Sequence, residues 1–224
     1  MLTNRERSLI KVQDLRHSFG DIEILNLPDW RLYQGENQLL LGPSGCGKTT
    51  LISLLTGLSR PTSGDIWIQE QSLSGLRPKK MDQLRTSTFG LIFQDHHLIS
   101  SLTVGENLTL AQKFAAQALD EDWSNHLLDH LDLADKTNSK PAALSHGEAQ
   151  RAAIARAAIC RPPVIIADEP TSALDDRNTA RVMELLSSLC SEWDTTLLVA
   201  SHDSRIKSYF EKCLTLNGRE MSAA

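Results

Sequence analysis

The chain has 224 residues, and its 41% hydrophobic and 23% charged residues are typical of an ordinary globular domain, which excludes disordered and fibrous proteins. Its 23 Lys and Arg against 28 Asp and Glu leave a net charge of −5, so the chain lacks the basic surface of a nucleic-acid-binding protein. We therefore expect a single domain over residues 1–224 and no nucleic-acid partner.

Membrane-spanning and disulfide-rich classes are also disfavoured. The longest apolar runs, such as residues 164–167, fall far short of the roughly 18 residues of a membrane span, and the charged N-terminus has no signal-peptide core. The cysteines form no C-x-x-C pair, which argues against a disulfide framework and a zinc site; they are Cys46, Cys160, Cys190 and Cys213. A cytoplasmic location with reduced thiols is the expectation.

The first predicted elements form a hairpin. Apolar positions in residues 8–19 indicate a strand, and Gly20-Asp21 is typical of a turn into a second strand over residues 22–27. Phe19, at the end of the first strand, is either a core residue or an aromatic face for a nucleotide base. Periodicity alone favours the core, because apolar aromatics are usually buried.

Residues 42–50, Gly-Pro-Ser-Gly-Cys-Gly-Lys-Thr-Thr, match the phosphate-loop motif G-x-x-x-x-G-K-[ST]. An apolar strand is predicted before them at residues 38–41 and a helix after them at residues 51–55, which makes a chance glycine-rich turn the weaker interpretation. Small residues let backbone N–H groups surround an anion, and the helix directs its positive end there. Lys48 is then expected to reach the β- and γ-phosphates, and Thr49 to help hold Mg²⁺. The expected ATP contacts in this stretch are Gly42, Pro43, Ser44, Gly45, Cys46, Gly47, Lys48, Thr49 and Thr50.

Three less specific segments follow. Residues 66–68 indicate an extended segment, residues 89–94 a buried strand that ends at Gln94, and residues 107–134 a helical region with leucines on one face. Gln94 at a strand end is placed to contact a metal ion or a water molecule. A surface amide is the plainer interpretation of that residue alone.

Ser145 and Glu148 have the spacing of a capping box, so a helix is predicted to begin there and to run towards Cys160. A helix N-terminus is also an anion site. An ordinary capped helix is the simpler interpretation of this pattern by itself.

Two further buried strands end in polar residues. Residues 164–169 form an apolar run that closes on Asp168 and Glu169, the pattern of a central parallel strand that brings acids to the carboxyl edge of a sheet. In a phosphate-loop protein such an Asp holds Mg²⁺. Residues 195–200 form another core strand followed by His202, which is a candidate phosphate contact if it meets the same edge.

Taken together, these motifs resemble the ATP-binding subunit of ABC transporters over nearly the whole chain. In that family's order, residues 42–49 match the Walker A loop, Gln94 the Q-loop, residues 144–150 the signature motif, residues 164–169 Walker B, residues 172–175 the D-loop, and His202 the switch histidine. The sequence around Gln94 and Glu169 is most similar to that of the lipoprotein-release and macrolide-efflux branch. Amino-acid importers and cell-division cassettes share much of it.

The resemblance implies a fold and a mechanism. It implies a P-loop NTPase (RecA-like) parallel-sheet core, an antiparallel β-lobe, and a helical lobe over roughly residues 95–160 that carries the signature. Phe19 becomes the expected platform for adenine. Thr49, Gln94 and Asp168 are the expected Mg²⁺ ligands, Asp168 through water, and Glu169 is the expected base for the attacking water, with His202 holding the γ-phosphate.

The resemblance also implies partners. Two copies would sandwich two ATP molecules, each between the Walker A loop of one chain and the signature residues Ser145, His146, Gly147 and Glu148 of the other. A separate transmembrane permease would meet the segment after Gln94, with Asp95, His96, His97 and Leu98 as candidates. The chain would then sit on the inner face of the cell membrane and drive export or extraction of a lipoprotein, lipid or hydrophobic compound.

One residue departs from the pattern. The family's signature reads L-S-G-G-Q, and here His146 replaces the first glycine, while Glu148 is a common variant of the glutamine. We expect His146 to slow closure of the sandwich by its bulk, although an imidazole near the partner's triphosphate could also be protonated and favour binding.

Other classes fit less well. Soluble ABC-type ATPases that act on DNA or ribosomes carry coiled coils, paired cassettes or basic surface, and this chain has none of them. In a phosphate-loop kinase or switch GTPase the signature motif and His202 would have no role. An ABC ATPase that serves a cell-envelope or cell-division membrane protein without transport is the remaining alternative.

Overall fold

The structure, a computed structural model, describes residues 8–172 and 174–217. Its strands are β1 (Ser8–Phe19), β2 (Ile22–Tyr33), β3 (Gln38–Leu41), β4 (Ser63–Ile68), β5 (Gln71–Ser72), β6 (Phe89–Ile92), β7 (Val164–Asp168), β8 (Thr196–Ser201) and β9 (Lys212–Thr215). Its α-helices are α1 (Lys48–Leu55), α2 (Pro78–Thr88), α3 (Val104–Phe114), α4 (Glu121–His130), α5 (His146–Ala158) and α6 (Asp176–Glu192). Short 3₁₀ helices cover Ala134–Lys136, Pro141–Ala143 and Ser204–Tyr209.

A parallel sheet of order β6-β7-β8-β3-β9 forms the centre of the molecule. Every residue of β7 and β8 is buried, as expected for strands that are covered on both faces. Because these strands run in the same direction, the residues that follow β3, β7 and β8 meet at one edge of the sheet. This edge carries the phosphate loop, the two predicted acids and His202.

An antiparallel sheet of order β2-β1-β4-β5 forms the second lobe. The predicted β1–β2 hairpin is confirmed, but β2 continues to Tyr33, where it pairs with Ser8, instead of ending at residue 27. Pro28 weakens the strand signal in the sequence. Proline is tolerated here because β2 is the edge strand of its sheet.

The helical region predicted over residues 107–134 is present but interrupted. The chain forms two helices, α3 and α4, because it leaves the helix after Phe114, turns through Ala116 at φ 52°, and starts again where Asp120 caps α4 by accepting from the Trp123 N–H. The buried faces of both helices and of α5 pack in one cluster, which includes Leu108, Leu127 and Ile154. These helices form the predicted helical lobe.

Two observations concern the disulfide-rich and membrane-spanning classes that the sequence disfavours. The four cysteines are free thiols, and of them only Cys213 is exposed. Within residues 8–172 and 174–217, no helix combines the length and the apolar character that crossing a bilayer requires.

Candidate functional site at the carboxyl edge of the parallel sheet

A cleft of about 360 Å³ lies where the phosphate loop meets the carboxyl ends of β7 and β8. The first turn of α1 forms one wall, and the acids and histidine that follow β7 and β8 form another. The lining residues are Ile24, Ser44, Gly45, Gly47, Lys48, Thr49, Thr50, Gln94, Glu169, Ser172 and His202.

The loop turns into α1 at Gly47, whose φ of 99° is open to glycine but costly for other residues. A Cβ at this position would also lie only 3.2 Å from the Ile24 carbonyl oxygen of β2. Helix α1 begins at Lys48, so its first N–H groups have no partners within the helix and face an anion that enters the loop. Cys46 is the one loop residue whose side chain is buried in the neighbouring core and turned from the cleft.

Lys48 is 6% exposed and is held by three oxygen atoms. Its Nζ donates to the carbonyl oxygens of Gly42, at 2.8 Å, and Pro43, at 3.1 Å, and lies 3.2 Å from Oε1 of Glu169. The ammonium therefore already sits between the loop and the β7 acids, where a phosphate group can replace part of this set.

Thr49, which lines the cleft, contacts the buried Asp168 behind it. The Thr49 hydroxyl donates to Oδ2 of Asp168 over 2.8 Å, while the buried Oδ1 of Asp168 has no hydrogen-bond partner among the described residues. Burial raises the pKa of Asp168, and the neighbouring Glu169 charge adds to the increase, although Thr49 and Lys48 oppose it. A buried carboxylate oxygen without a partner, next to a hydroxyl, is a donor set that suits a hard cation such as Mg²⁺.

Glu169 and His202 form a close pair. His202 Nδ1 lies 2.9 Å from Oε1 and 3.0 Å from Oε2 of Glu169, and because a carboxylate only accepts, this nitrogen carries the hydrogen. Burial favours a higher pKa for Glu169, but the hydrogen bonds from His202 and Lys48 outweigh it and lower the pKa below its usual value. The residue adopts φ 51°, a costly conformation for a side chain of this size. Glu169 is thus an ionised carboxylate with a fixed orientation in the lining of the cleft.

Ser201 also holds this pair and was not predicted. Its hydroxyl donates to Oε2 of Glu169 over 3.1 Å, which fixes the second carboxylate oxygen. Its place directly before His202, at the end of a buried strand, is the only signal in the sequence that could have indicated this role.

Phe19 does not line the cleft but lies at the end of the β-lobe that faces it. Its side chain is 62% exposed, so the interpretation of Phe19 as a core residue, which periodicity alone favoured, was wrong. It pairs with Ile22 across the hairpin, and β2 then carries Ile24 to the phosphate loop. An exposed aromatic ring beside a phosphate site suits the predicted base platform.

The signature residues lie at the N-terminus of α5, next to this cleft instead of in its lining. The predicted capping box is present, with Ser145 as the N-cap and Glu148 in the first turn. The Ser145 backbone N–H and hydroxyl both donate to Glu148, and with Lys136 they lower the pKa of Glu148 to about 2. Gly147 is open, since a Cβ there would meet only Arg151 at 3.7 Å. In the described part of the chain, none of these residues contributes to the lining of the cleft.

His146 lies against the segment that follows Gln94. Its ring centroid is 5.0 Å from that of His96, and both side chains line a cavity of about 150 Å³ together with Gln94 and Glu169. Burial lowers the pKa of His96, and the nearby His146 and Arg156 lower it further, although Asp95 opposes them.

Of the candidate docking residues, Asp95 and His97 are exposed, whereas Leu98 packs against the core of the helical lobe.

Comparison with known proteins agrees with this geometry. A phosphate loop after β3, with acids at the end of β7 in the same parallel sheet, defines the chain first as a nucleoside-triphosphate-binding cassette. A family model described as "ABC transporter" matches residues 25–172. The lipoprotein-releasing system ATP-binding protein LolD of Leptospira interrogans is 37% identical over 95% of this chain and 91% of its own.

Solved structures give the same result. The dimeric ABC transporter cassette MJ0796 superposes with a TM-score of 0.84 at 31% identity, covering 93% of this chain and 94% of its own. The same cassette, bound to ADP and Pi in a post-hydrolysis state, superposes with a TM-score of 0.83. The chain belongs to the ABC transporter family, in which it is an ATP-binding subunit and an ATPase. The predicted fold class is thereby confirmed.

Proposed function

We propose that this chain is the ATPase of a transporter that extracts lipoproteins from the cytoplasmic membrane, working as a homodimer bound to a transmembrane permease on the inner face of that membrane. The single observation that carries the ATPase chemistry is the convergence of Lys48, Glu169 and His202 on one cleft, with Asp168 bonded to Thr49 of its lining. The lipoprotein cargo is supported by the similarity to LolD, which extends over nearly the full length of both chains.

Nucleotide binding uses the loop and the first turn of α1. The backbone N–H groups of residues 44–49 surround the β- and γ-phosphates, Lys48 neutralises part of their charge, and Phe19 stacks on adenine. Lys48 exchanges its contact with Glu169 for the γ-phosphate, which frees the Glu169 carboxylate to accept a proton.

Mg²⁺ fits the oxygen atoms available beside the phosphates. The unpartnered Oδ1 of Asp168 and the hydroxyl of Thr49 suit it, and Gln94 on the opposite wall adds an amide oxygen. When bound, the ion neutralises charge on the β- and γ-phosphates.

Hydrolysis needs a base and a group that fixes the γ-phosphate. Glu169, kept ionised by its lowered pKa, accepts the proton of the water that attacks the γ-phosphorus while the bond to the β-phosphate oxygen breaks. His202, whose Nδ1–H is directed at Glu169, orients this carboxylate, and its other ring nitrogen is free to face the phosphate.

Dimerisation explains why the signature residues lie outside the lining of the chain's own cleft. Ser145 and Gly147 are exposed at a helix N-terminus and have no ligand of their own chain to bind. In a two-fold dimer each would complete the phosphate site of the other copy.

Depletion of the chain in its own cells tests the cargo. Lipoproteins should then accumulate in the inner membrane, and expression of the wild-type chain, but not of Lys48→Ala, should restore their release. Normal lipoprotein distribution together with a defect in division or drug efflux would overturn the proposed cargo and leave the ATPase assignment in place.

A further inference from the structure

His17 is a buried polar residue without polar contacts. It lies on β1, two residues before Phe19, and its side chain is 8% exposed. Neither Nδ1 nor Nε2 has a hydrogen-bond partner among the described residues. An unpaired buried polar group costs stability, and an apolar residue of similar shape would avoid this cost. Packing alone therefore does not account for a histidine at this position.

The His17 ring contacts the Phe19 ring. The two ring centroids are 4.8 Å apart and the planes are at 90°, the edge-to-face arrangement that aromatic rings prefer. The His17 ring is inside the lobe and the Phe19 ring is largely outside it, so His17 supports Phe19 from the protein side.

The backbone around this pair is fixed independently. The Ser18 N–H donates to the Thr62 hydroxyl over 3.0 Å, and the Thr62 N–H donates to the Arg16 carbonyl oxygen over 2.9 Å. With the strand held on both sides of His17, the main freedom left to Phe19 is the rotation of its own side chain. His17 is the neighbour that restricts this rotation.

We propose that His17 is a positioning residue for the nucleotide base: it holds the Phe19 ring in the orientation in which its exposed face stacks on adenine. This inference rests on the proposed role of Phe19 as the base platform. It predicts that His17 affects only the part of the binding free energy that comes from the base, because the phosphates are held by a different element of the chain.

The test compares MgATP with magnesium tripolyphosphate, which has the phosphates but no base, by isothermal titration calorimetry of the full chain. His17→Leu should weaken ATP binding by about 2- to 12-fold, the value of an aromatic pair expressed as a dissociation constant. Tripolyphosphate affinity should not change, and the unfolding temperature should stay equal or rise. His17→Phe, which keeps an edge-to-face partner, should retain wild-type ATP affinity.

Phe19→Ala separates the failure of this inference from the failure of its premise. Unchanged ATP affinity in Phe19→Ala would overturn the base platform itself. Weaker ATP binding in Phe19→Ala but not in His17→Leu would overturn the role of His17 alone. Equal weakening of ATP and tripolyphosphate by His17→Leu would show a general structural role and also overturn it. If His17→Leu does not fold, His17→Gln, which has polar atoms but no ring, takes its place.

Discussion

Replacement of Lys48 by alanine tests the phosphate site most simply, and its effect can be worked out from the contacts of this side chain. Lys48 is 6% exposed and contacts two carbonyl oxygens and the Glu169 carboxylate. In the proposed complex this buried ammonium pairs with the phosphates of ATP. Truncating one member of such a buried charged pair costs about 2–5 kcal/mol, so ATP affinity should fall by roughly 30- to 4,000-fold.

The variant should nevertheless fold. Glu169 keeps its hydrogen bonds from Ser201 and His202 when the lysine is lost, so its carboxylate is not left without donors. The carbonyl oxygens of Gly42 and Pro43 lose their donor, which costs about 1–3 kcal/mol of folding free energy. For a chain of this size that lowers the unfolding temperature by about 2–4 °C per kcal/mol.

Calorimetric titration with MgATP and thermal unfolding without nucleotide measure the two effects separately. Lys113→Ala, which removes an exposed lysine of α3, is the matched control and should change neither quantity. Unchanged ATP affinity in a folded Lys48→Ala variant would refute the assignment of this loop as the phosphate site.

Two further predictions concern the helical lobe. His97→Asp, in the proposed docking segment, combined with Ile99→Asp, directly after it, should abolish co-purification with the transmembrane subunit, because both side chains are exposed. Aspartate tolerates the φ of 49° at residue 97, and retained co-purification would rule the segment out. Leu98 was also a candidate docking residue in the sequence, but it is unsuitable for this test because it packs against the core and its replacement would disturb the fold. His146→Gly should raise the ATPase rate of the isolated chain several-fold, an effect of about 1 kcal/mol on the barrier, since the ring adds bulk at the signature helix. His146→Ala controls for the flexibility that glycine adds. If both variants instead hydrolyse ATP more slowly than the wild type, with the greatest decrease at acidic pH, the histidine is a cationic phosphate contact.

Buried parallel strands explain why the catalytic edge could be predicted from sequence. All five residues of β7 are buried and the first four are apolar, so the sequence shows an uninterrupted apolar run whose end marks the edge of the sheet. Asp168 and Glu169 follow at that end, and the phosphate-loop motif marks the edge of β3. The positions of the predicted strand ends in the sequence were therefore enough to predict that these residues meet.

Elements with little buried surface were not predicted. Helix α2 buries only Thr88, and its mostly polar sequence has no apolar face for periodicity to detect. Strand β9 has no fully buried residue and depends on its pairing with β3. Their positions are set by tertiary contacts instead of local pattern.

Contacts between distant segments were the other limit. The proximity of His146 to His96 depends on the approach of α5 to the loop after β6, and nothing in either segment's own sequence encodes it. The contact of His17 with Phe19 is local, but the burial of His17 without polar partners becomes visible only when the lobe is assembled.

The central claim, an ATPase that closes as a dimer around ATP, is tested most directly by Glu169→Gln. The amide keeps the shape of Glu169 but cannot accept the proton, so hydrolysis should fall by roughly 10²–10⁴-fold while ATP still binds. Size-exclusion chromatography with light scattering should show a monomer without nucleotide and a dimer with MgATP. Glu184→Gln, at an exposed position of α6, should hydrolyse ATP like the wild type and serves as the control. Wild-type hydrolysis by Glu169→Gln, or a mass that stays monomeric at saturating ATP, would contradict the account.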